Sequence, residues 1–161
     1  MIKYPIDKMK KNKVIKLCGH HLLCLQGYQG YGYDSEFEKN MSNIHQELNK
    51  TKNKNLKIKI SDSPDDLCIC CPNLKDGICI GDNDSSIKTK ENLQKIAKNN
   101  NHIVKLDSIV IKKINIDKNK EYYFNDVVRV INNTFKKLED VKDICGDCEW
   151  TDKCLWYQSK K

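Results

Sequence analysis

The sequence predicts a mainly α-helical domain, with about five helices, one or two short strands, and metal-bearing loops near both ends of the chain. Two observations support this fold class. Apolar residues recur at spacings of three and four along several segments, which is typical of helices with one buried face. Nine cysteines fall into three groups, so bound metal is expected to supplement a hydrophobic content of only 39%. The length fits a single domain over residues 1–161.

A short strand and a short helix are predicted first. Residues 14–17 could form the strand, and Leu22, Leu23 and Leu25 indicate a buried helical turn directly after it. The glycine- and tyrosine-rich segment 27–33 then ends the helix. It lacks the lysine followed by serine or threonine that a phosphate-binding loop needs. We expect it to be a tight aromatic connector.

A longer helix is predicted over residues 35–49, with Ser35 as its N-cap. Residues 56–60 alternate between apolar and basic side chains, which predicts a half-buried strand. The apolar stripe of the helix consists of Phe37, Met41, Ile44 and Leu48.

Residues 63–66 have the features of a helix start. Ser63 is the expected cap, Pro64 occupies the first helical position, and Asp66 stands where a capping box has its acidic residue. This short turn would deliver Cys68 to a metal site. We expect its carboxylates to act as partners of the helix dipole and not as catalysts.

Three further helices are predicted in the second half of the chain. Asn125 or Asp126 is the expected cap of the last one. Residues 98–101 are predicted to form a solvated loop, and His102 would lie in the polar joint between the first two of these helices. The apolar positions are Ile87, Leu93, Ile96 and Ala97; then Leu106, Ile109, Val110 and Ile114; then Val127, Val130, Ile131, Thr134 and Leu138.

The formal net charge of +7 does not come with a nucleic-acid signature. Only Arg129 among the 29 basic residues is an arginine, whereas base recognition favours arginines with aromatic residues between them. Nucleic acid is therefore not an expected partner. No apolar run is long enough to span a bilayer, and residues 1–16 are basic without the apolar stretch of a signal peptide. We expect a strand or arm there, and a cytoplasmic protein with no membrane partner.

The cysteine groups indicate metal binding. Thiolates two residues apart can converge on one metal centre, and soft sulfur ligands favour zinc or iron–sulfur clusters. A disulfide framework is the alternative, but the odd count, the absence of a signal peptide and the metal-type spacing all oppose it. The groups are Cys18 and Cys24; Cys68, Cys70, Cys71 and Cys79; and Cys145, Cys148 and Cys154.

The C-terminal group supplies three thiolates as Cys145-x2-Cys148-x5-Cys154, so a fourth ligand must come from elsewhere. This pattern resembles the site that holds a [4Fe–4S] cluster in certain nucleases, where a distant upstream cysteine completes it. The nuclease reaction is not implied, because it needs a Glu-x-Lys that this chain lacks. Trp150 and Trp156 flank the group and could either shield a cluster from water or contribute to the core.

In the other two groups the sequence favours particular thiols. Cys68 and Cys71 form the better pair, because adjacent cysteines rarely bind the same iron site, and Cys70 is then a spare or resolving thiol. His20 precedes Cys24 by one helical turn and shares its face. It could be a metal ligand, a proton donor to a molecule bound at the metal, or a hydrogen-bond donor to a cluster; a histidine that bonds the backbone at the helix start is the alternative.

Several blocks together resemble one family of small bacterial and archaeal proteins, a domain of unknown function suspected of binding iron–sulfur clusters. The blocks are His20-His21-Leu22-Leu23-Cys24, Gln26-Gly27-Tyr28, Gly30-Tyr31-Gly32-Tyr33, Asp65-Asp66-x-Cys68-x2-Cys71-Pro72 and Cys145-x2-Cys148-x-Trp150. The resemblance implies a cofactor but no established reaction, and it leaves Cys18 and Cys70 outside the pattern. The shared thiols that it implies as cofactor and metal ligands are Cys24, Cys68, Cys71, Cys79, Cys145, Cys148 and Cys154.

We therefore expect an iron–sulfur protein with at least one [4Fe–4S] cluster. Either one cluster takes four cysteines, or there are two clusters and His20, Cys18 or an exchangeable ligand completes one of them. An iron without a protein thiolate could bind a small molecule, with His20 as the candidate catalytic residue. Without such an iron, electron transfer or redox sensing with a partner protein is expected, so enzymatic and non-enzymatic roles both stay open. A structural zinc-binding adaptor module is the alternative.

Overall fold

The computed structural model describes residues 14–50 and 56–161. About half of these residues are helical, and strands are more numerous than expected, so the prediction of a mainly α fold is only partly right. Most of the predicted N-terminal arm, residues 1–16, lies outside the described residues. The described strands are β1 (Ile15–Cys18), β2 (Lys57–Ser61), β3 (Leu74–Lys75), β4 (Ile78–Cys79) and β5 (Glu121–Tyr123). The six described helices are α1 (His21–Gly27), α2 (Ser35–Asn49), α3 (Lys90–Lys113), α4 (Phe124–Thr134), α5 (Leu138–Cys145) and α6 (Leu155–Gln158).

A three-stranded sheet lies at the centre of the fold. β1 and β5 flank β2, which pairs in parallel with β1 and antiparallel with β5. Ile15 is opposite Ile58 and Leu17 is opposite Ile60, and all four side chains are buried. Lys57 and Lys59 are exposed between them, which confirms the predicted alternation.

The turn from β1 into α1 packs tightly against α3. A Cβ atom added at Gly19 would lie 2.5 Å from the carbonyl oxygen of Asp107, so only glycine allows this approach of the two backbones. The predicted buried turn follows as α1, with Leu22, Leu23 and Leu25 in the core. The turn thereby brings His20 next to the middle of α3.

The predicted helix over residues 35–49 is confirmed as α2, but its predicted cap is wrong. Asp34 is the N-cap, and its Oδ1 accepts a hydrogen bond from the backbone N–H of Phe37 at 2.8 Å. Ser35 is the first helical residue. A carboxylate at this position also interacts favourably with the helix dipole.

The predicted third and fourth helices are one continuous helix, α3, which is 24 residues long. Residues 98–101 lie inside it, so the predicted loop and the polar joint at His102 are wrong. The stretch contains no glycine or proline, and asparagine costs only a fraction of a kcal/mol in a helix. Asn99 and Asn100 also gain hydrogen bonds to Cys79, which offset that cost.

The remaining elements differ from expectation mainly at their ends. α4 begins at Phe124, so Asn125 and Asp126 are helical and not caps, and Leu138 begins α5. Residues 74–79, which had no predicted structure, form the hairpin β3–β4. Its turn residues Asp76 and Gly77 both have positive φ, 50° and 79°, as the favoured two-residue hairpin turn requires.

One hydrophobic cluster joins these elements. It includes the sheet residues named above, the apolar faces of α1, α2 and α4, and Phe135 and Trp156 near the C-terminus. Within residues 14–50 and 56–161, no helix combines the length and the apolarity needed to cross a membrane.

Asn101→Pro tests the continuity of α3. In the interior of a helix, proline removes one backbone hydrogen bond and clashes with the preceding turn, so we expect a loss of about 3 kcal/mol in the free energy of unfolding. Asn101→Ala, the matched control, should leave stability equal or slightly higher. Urea unfolding followed by circular dichroism measures both. Equal stability of the two variants would mean that residues 98–101 form a loop after all.

Candidate metal centres

Eight of the nine cysteines line one cavity of about 450 Å³. All nine are free thiols, and Cys70, the predicted spare thiol, is not part of the cavity wall. The thiols at this cavity therefore come from four parts of the chain: β1, α1, the segment between β2 and α3, and the C-terminal segment. The lining cysteines are Cys18, Cys24, Cys68, Cys71, Cys79, Cys145, Cys148 and Cys154.

Cys24 and the C-terminal triad line the cavity together, and we call this candidate site the first centre. Burial raises the pKa of the Cys24 thiol well above its ordinary value, and negative charge at Cys148, Cys145 and Cys154 raises it further. Burial and the charges of Cys148 and Cys154 likewise raise the pKa of Cys145 to about 12. The charges of the triad thus act on Cys24, and the four residues together offer four sulfur atoms at one cavity.

Backbone hydrogen bonds hold the loop that carries the triad. The N–H of Cys148 bonds to the carbonyl oxygen of Cys145 at 3.0 Å and closes the Cys-x2-Cys turn. The backbone N–H of Trp150 points to Cys148 Sγ at 3.4 Å, and that of Tyr157 to Cys154 Sγ at 3.5 Å. Such N–H donors stabilise negative charge on sulfur.

Gly27 allows Cys154 to reach the first centre. A Cβ atom at position 27 would lie 2.2 Å from Cys154 Sγ and 2.8 Å from the backbone nitrogen of Trp156. Any other residue would push α6 away from α1. The glycine of the predicted connector is therefore required by a long-range contact and not by the end of the helix.

The two tryptophans have different surroundings. Trp150 stacks on Tyr31 with ring centroids 5.2 Å apart, and it lines the cavity next to the first centre. Trp156 also borders the cavity but is buried in the core, where it packs edge-on against Phe135 and donates a hydrogen bond to Asn132. Trp156 therefore contributes to the core, which is one of the two roles considered for these residues.

The second group of thiols consists of Cys18, Cys68, Cys71 and Cys79. Cys68 begins a short 3₁₀ turn, and the N–H of Cys71 bonds to the carbonyl oxygen of Cys68 at 2.9 Å. Burial and the charges of Cys68 and Cys79 raise the pKa of Cys71 to about 11. A side-chain hydrogen bond from Cys18 lowers the pKa of Cys68. The four thiols therefore form a connected group on the same cavity wall.

The hairpin and α3 together position Cys79. The N–H of Cys79 donates to Asn100 Oδ1 at 3.1 Å, and Asn99 Nδ2 donates to the carbonyl oxygen of Cys79 at 2.9 Å. Asn99 Nδ2 also lies 3.6 Å from Cys79 Sγ. Residues that looked like a solvated loop in the sequence thus hold a candidate ligand in place.

The carboxylate of Asp65 connects the first strand to the second group of thiols. Its Oδ1 accepts hydrogen bonds from the N–H groups of Leu67 at 2.9 Å and Cys68 at 3.0 Å. Its Oδ2 accepts from the N–H of Cys18 and contacts His21 Nδ1, both at 2.6 Å. The residue is only 3% exposed. Asp65, and not Ser63 as predicted, therefore caps the turn, which agrees with the expected role of its carboxylate at a helix start.

His21 is the residue of this region that sequence analysis did not select. Burial lowers its pKa, but the charge of Asp65 and the hydrogen bond to it outweigh burial and raise the pKa to about 9. The donor atoms of Cys18, His21, Asp65 and Cys68 all lie within 4.8 Å of one another, so the four residues form a candidate metal-binding group. Cys18, which lies outside the pattern of shared thiols that the sequence implied, belongs to this group.

His20 has a buried carboxylate of its own. Its Nδ1 lies 2.5 Å from Asp107 Oδ1, and its backbone N–H bonds to the same oxygen at 3.0 Å. Asp107 comes from α3 and is 1% exposed. The rings of His20 and His21 lie side by side, 4.2 Å apart, at the cavity wall. Sequence spacing could suggest His20 but could not reveal either carboxylate partner.

Asp65→Asn tests whether this carboxylate stabilises the metal-free protein. An amide offers fewer acceptor sites and no charge to His21, so we expect the free energy of unfolding to fall by about 3–5 kcal/mol. Asp62→Asn is the control, because Asp62 forms an exposed ion pair with Lys118 that is worth about 0–1 kcal/mol. Urea unfolding measures both variants. Similar losses in the two would contradict the role given to Asp65.

Comparison with known proteins places the chain in one family. Residues 32–154 match the family model described as "protein of unknown function (DUF1284)". The matched range includes seven of the cysteines and leaves out the block His20–Cys24. No curated protein and no solved structure matches the chain significantly. Because the match covers well over half of its residues, the chain belongs to the DUF1284 family.

Proposed function

We propose that the protein is an iron–sulfur protein of the reducing cytoplasm. In this proposal a [4Fe–4S] cluster is held by Cys24, Cys145, Cys148 and Cys154, and a second metal centre forms at Cys68, Cys71 and Cys79. The observation that carries the proposal is the meeting of four free thiols from the two halves of the chain at one cavity wall. Four thiolates are the ligand set of a [4Fe–4S] cluster.

The electrostatics of the first centre support a bound cation. Without one, burial and mutual repulsion keep the pKa values of Cys24 and Cys145 high, so the thiolate forms are disfavoured. A positively charged iron–sulfur core would reverse this balance, because coordination deprotonates a thiol. The N–H groups near Cys148 and Cys154 would stabilise the resulting charge on sulfur.

The surroundings of the first centre favour electron transfer or redox sensing. A bound cluster supplies one-electron chemistry. Tyr31 and Trp150 would cover it on one side and limit the access of water and oxidant. The expected partner is a redox protein that docks close to this wall.

Cys148→Ser tests the first centre, with Cys70→Ser as the matched control. Serine at position 148 removes a ligand that joins the C-terminal segment to α1, so we expect loss of that cluster's iron together with tertiary stability. Cys70 lies outside the cavity wall, and its variant should keep both. Iron content and thermal unfolding of anaerobically purified protein are the measurements. A Cys148→Ser protein with full iron and full stability would rule out the site.

His20 is proposed as a proton donor to a small molecule bound at an iron that lacks a protein thiolate. Its Nδ1 is fixed by Asp107, and the residue lines the same cavity as both groups of thiols. A hydrogen bond of this kind orients an imidazole for proton transfer through its other nitrogen.

His20→Ala should therefore keep the iron content but change how the paramagnetic spectrum responds to added small thiols or hydroxy acids. Cys24→Ala, in contrast, should deplete iron because it removes a ligand. Iron analysis and electron paramagnetic resonance measure the two effects. If His20→Ala lost as much iron as Cys24→Ala, His20 would be a ligand and the proton-donor role would fail.

A structural zinc module is the second candidate, and one observation favours it. The donor atoms of Cys18, His21, Asp65 and Cys68 lie within 4.8 Å of one another. This spacing suits a single tetrahedral ion, whereas the thiolates of a cubane bind different irons and stand further apart. In this alternative the second group would hold zinc and the protein would serve as a binding module.

A further inference from the structure

We infer that electrons enter and leave the first centre by way of Trp150 and Tyr33, and that a redox protein with a basic surface docks on the exposed ring of Tyr33. This inference rests on the proposed function, since it requires a redox-active cluster at the first centre. It goes further than that function because it names the point of contact and the charge of the partner.

Trp150 is the inner end of this route, because it touches a ligand of the first centre. Its backbone N–H points to Cys148 Sγ at 3.4 Å. Its ring stacks on Tyr31, with the centroids 5.2 Å apart, and both residues line the cavity that holds the thiols. Electron transfer slows as the gap between donor and acceptor widens, so a residue in contact with a ligand is a favourable start for a route.

Tyr33 continues the route to the surface. Its ring meets that of Trp150 edge-on, with the centroids 5.6 Å apart. A second edge contact, at 5.2 Å, joins the ring to Phe37, which is buried in the core. Tyr33 is nevertheless 44% exposed, so a ring held by two aromatic neighbours also faces solvent. Trp150 and Tyr33 together therefore connect Cys148 to the protein surface.

An exposed tyrosine at this place is suited to anchor a partner. Tyrosine is among the residues that supply most of the binding energy at protein interfaces, and its two side-chain torsions lose little entropy on binding. Electron-transfer complexes have small interfaces, so a single aromatic anchor beside the cluster suits them. The contact would bring the redox group of the partner to the outer end of the route.

Carboxylates lie around this contact point, although the formal net charge of the whole chain is +7. Asp34 directly follows Tyr33 in the chain. Burial raises the pKa of Tyr33, and the negative charge of Glu149 raises it further, so Glu149 acts on the same side chain. Asp34 and Glu149 are both exposed.

A third exposed carboxylate, Glu36, belongs to the same surface. Burial and the charges of Glu36 and Asp34 raise the pKa of Cys70, which places these two acids beside each other near the turn that carries Cys70. Lys153 opposes them, with its Nζ 5.6 Å from the centre of the Trp150 ring. Three acids outnumber this one cation, so the surface around Tyr33 is complementary to a basic partner.

Stopped-flow oxidation of the reduced protein by ferric cytochrome c, a basic one-electron acceptor, tests the contact point. The anaerobic full-length protein is photoreduced and then mixed with the acceptor. One electron passes from the cluster, which goes from the 1+ to the 2+ state, to the haem iron; the aromatic rings are not oxidised. Tyr33→Leu should keep its iron and slow the reaction about tenfold. Tyr123→Leu, the matched control, should react like the unaltered protein, because Tyr123 is also 44% exposed but does not line the cavity.

The double variant Glu36→Gln/Glu149→Gln tests the charge of the partner. It removes two charges at nearly constant shape, so the reaction with cytochrome c should slow about tenfold at low ionic strength and depend less on salt. Ferricyanide, a small anionic acceptor, should oxidise this variant at least as fast as the unaltered protein.

Equal rates for Tyr33→Leu and Tyr123→Leu with cytochrome c would overturn the route. An unchanged rate for the double variant would overturn the basic partner. Loss of iron in Tyr33→Leu would also overturn the inference, since Tyr33 would then be a structural part of the site. All three results leave the proposed function intact, whereas protein without iron and sulfide would contradict that function itself.

Discussion

The buried carboxylate of Asp65 is the interaction on which the arrangement of this protein depends. A charged group that is 3% exposed is costly unless every lone pair has a partner, and here four N–H donors satisfy it. Two of those donors, Cys68 and Leu67, belong to the turn after β2, and the other two belong to the end of β1 and the start of α1. One side chain therefore sets the distance between His21 and the thiols of the second group. Asp107 has the same role for His20, and it ties the start of α1 to α3.

The first centre depends on a different constraint, the close packing of the two ends of the described chain. α1 and α6 are far apart in sequence, yet Gly27 lets Cys154 come within reach of Cys24. In the metal-free protein, burial and the charges of the neighbouring thiols raise the pKa values of Cys24 and Cys145, so this packing works against ionisation of these two thiols. A metal that binds all four sulfur atoms would stabilise their thiolate forms. It would also cross-link Cys24 to the C-terminal triad and so close a loop of most of the chain. For a chain with only 39% hydrophobic residues, such a cross-link is a sizeable share of its stability.

Local signals in the sequence predicted the elements that depend on neighbours in the chain. The first strand, the buried turn of α1, the alternation of β2 and the span of α2 follow from periodicity, and the Cys-x2-Cys pairs follow from spacing. The features that sequence reasoning missed depend on distant partners. Asn99 and Asn100 are polar enough to suggest a loop, but their hydrogen bonds to Cys79 keep α3 continuous. His21 and Asp65 are 44 positions apart, and nothing at either position shows that they meet. Two missed features had an unused local signal: the hairpin has the pair Asp76-Gly77, and α2 has Asp34 as its N-cap.

The central claim is that the thiols of this cavity hold iron and sulfide, and metal analysis of the full chain purified without oxygen tests it most directly. Iron, acid-labile sulfide and zinc are counted per chain in the same sample, beside the visible absorption spectrum. The account predicts a brown protein with about four or eight irons, an equal amount of sulfide and little zinc. A colourless protein with stoichiometric zinc and no sulfide would contradict it and would favour a structural zinc module instead.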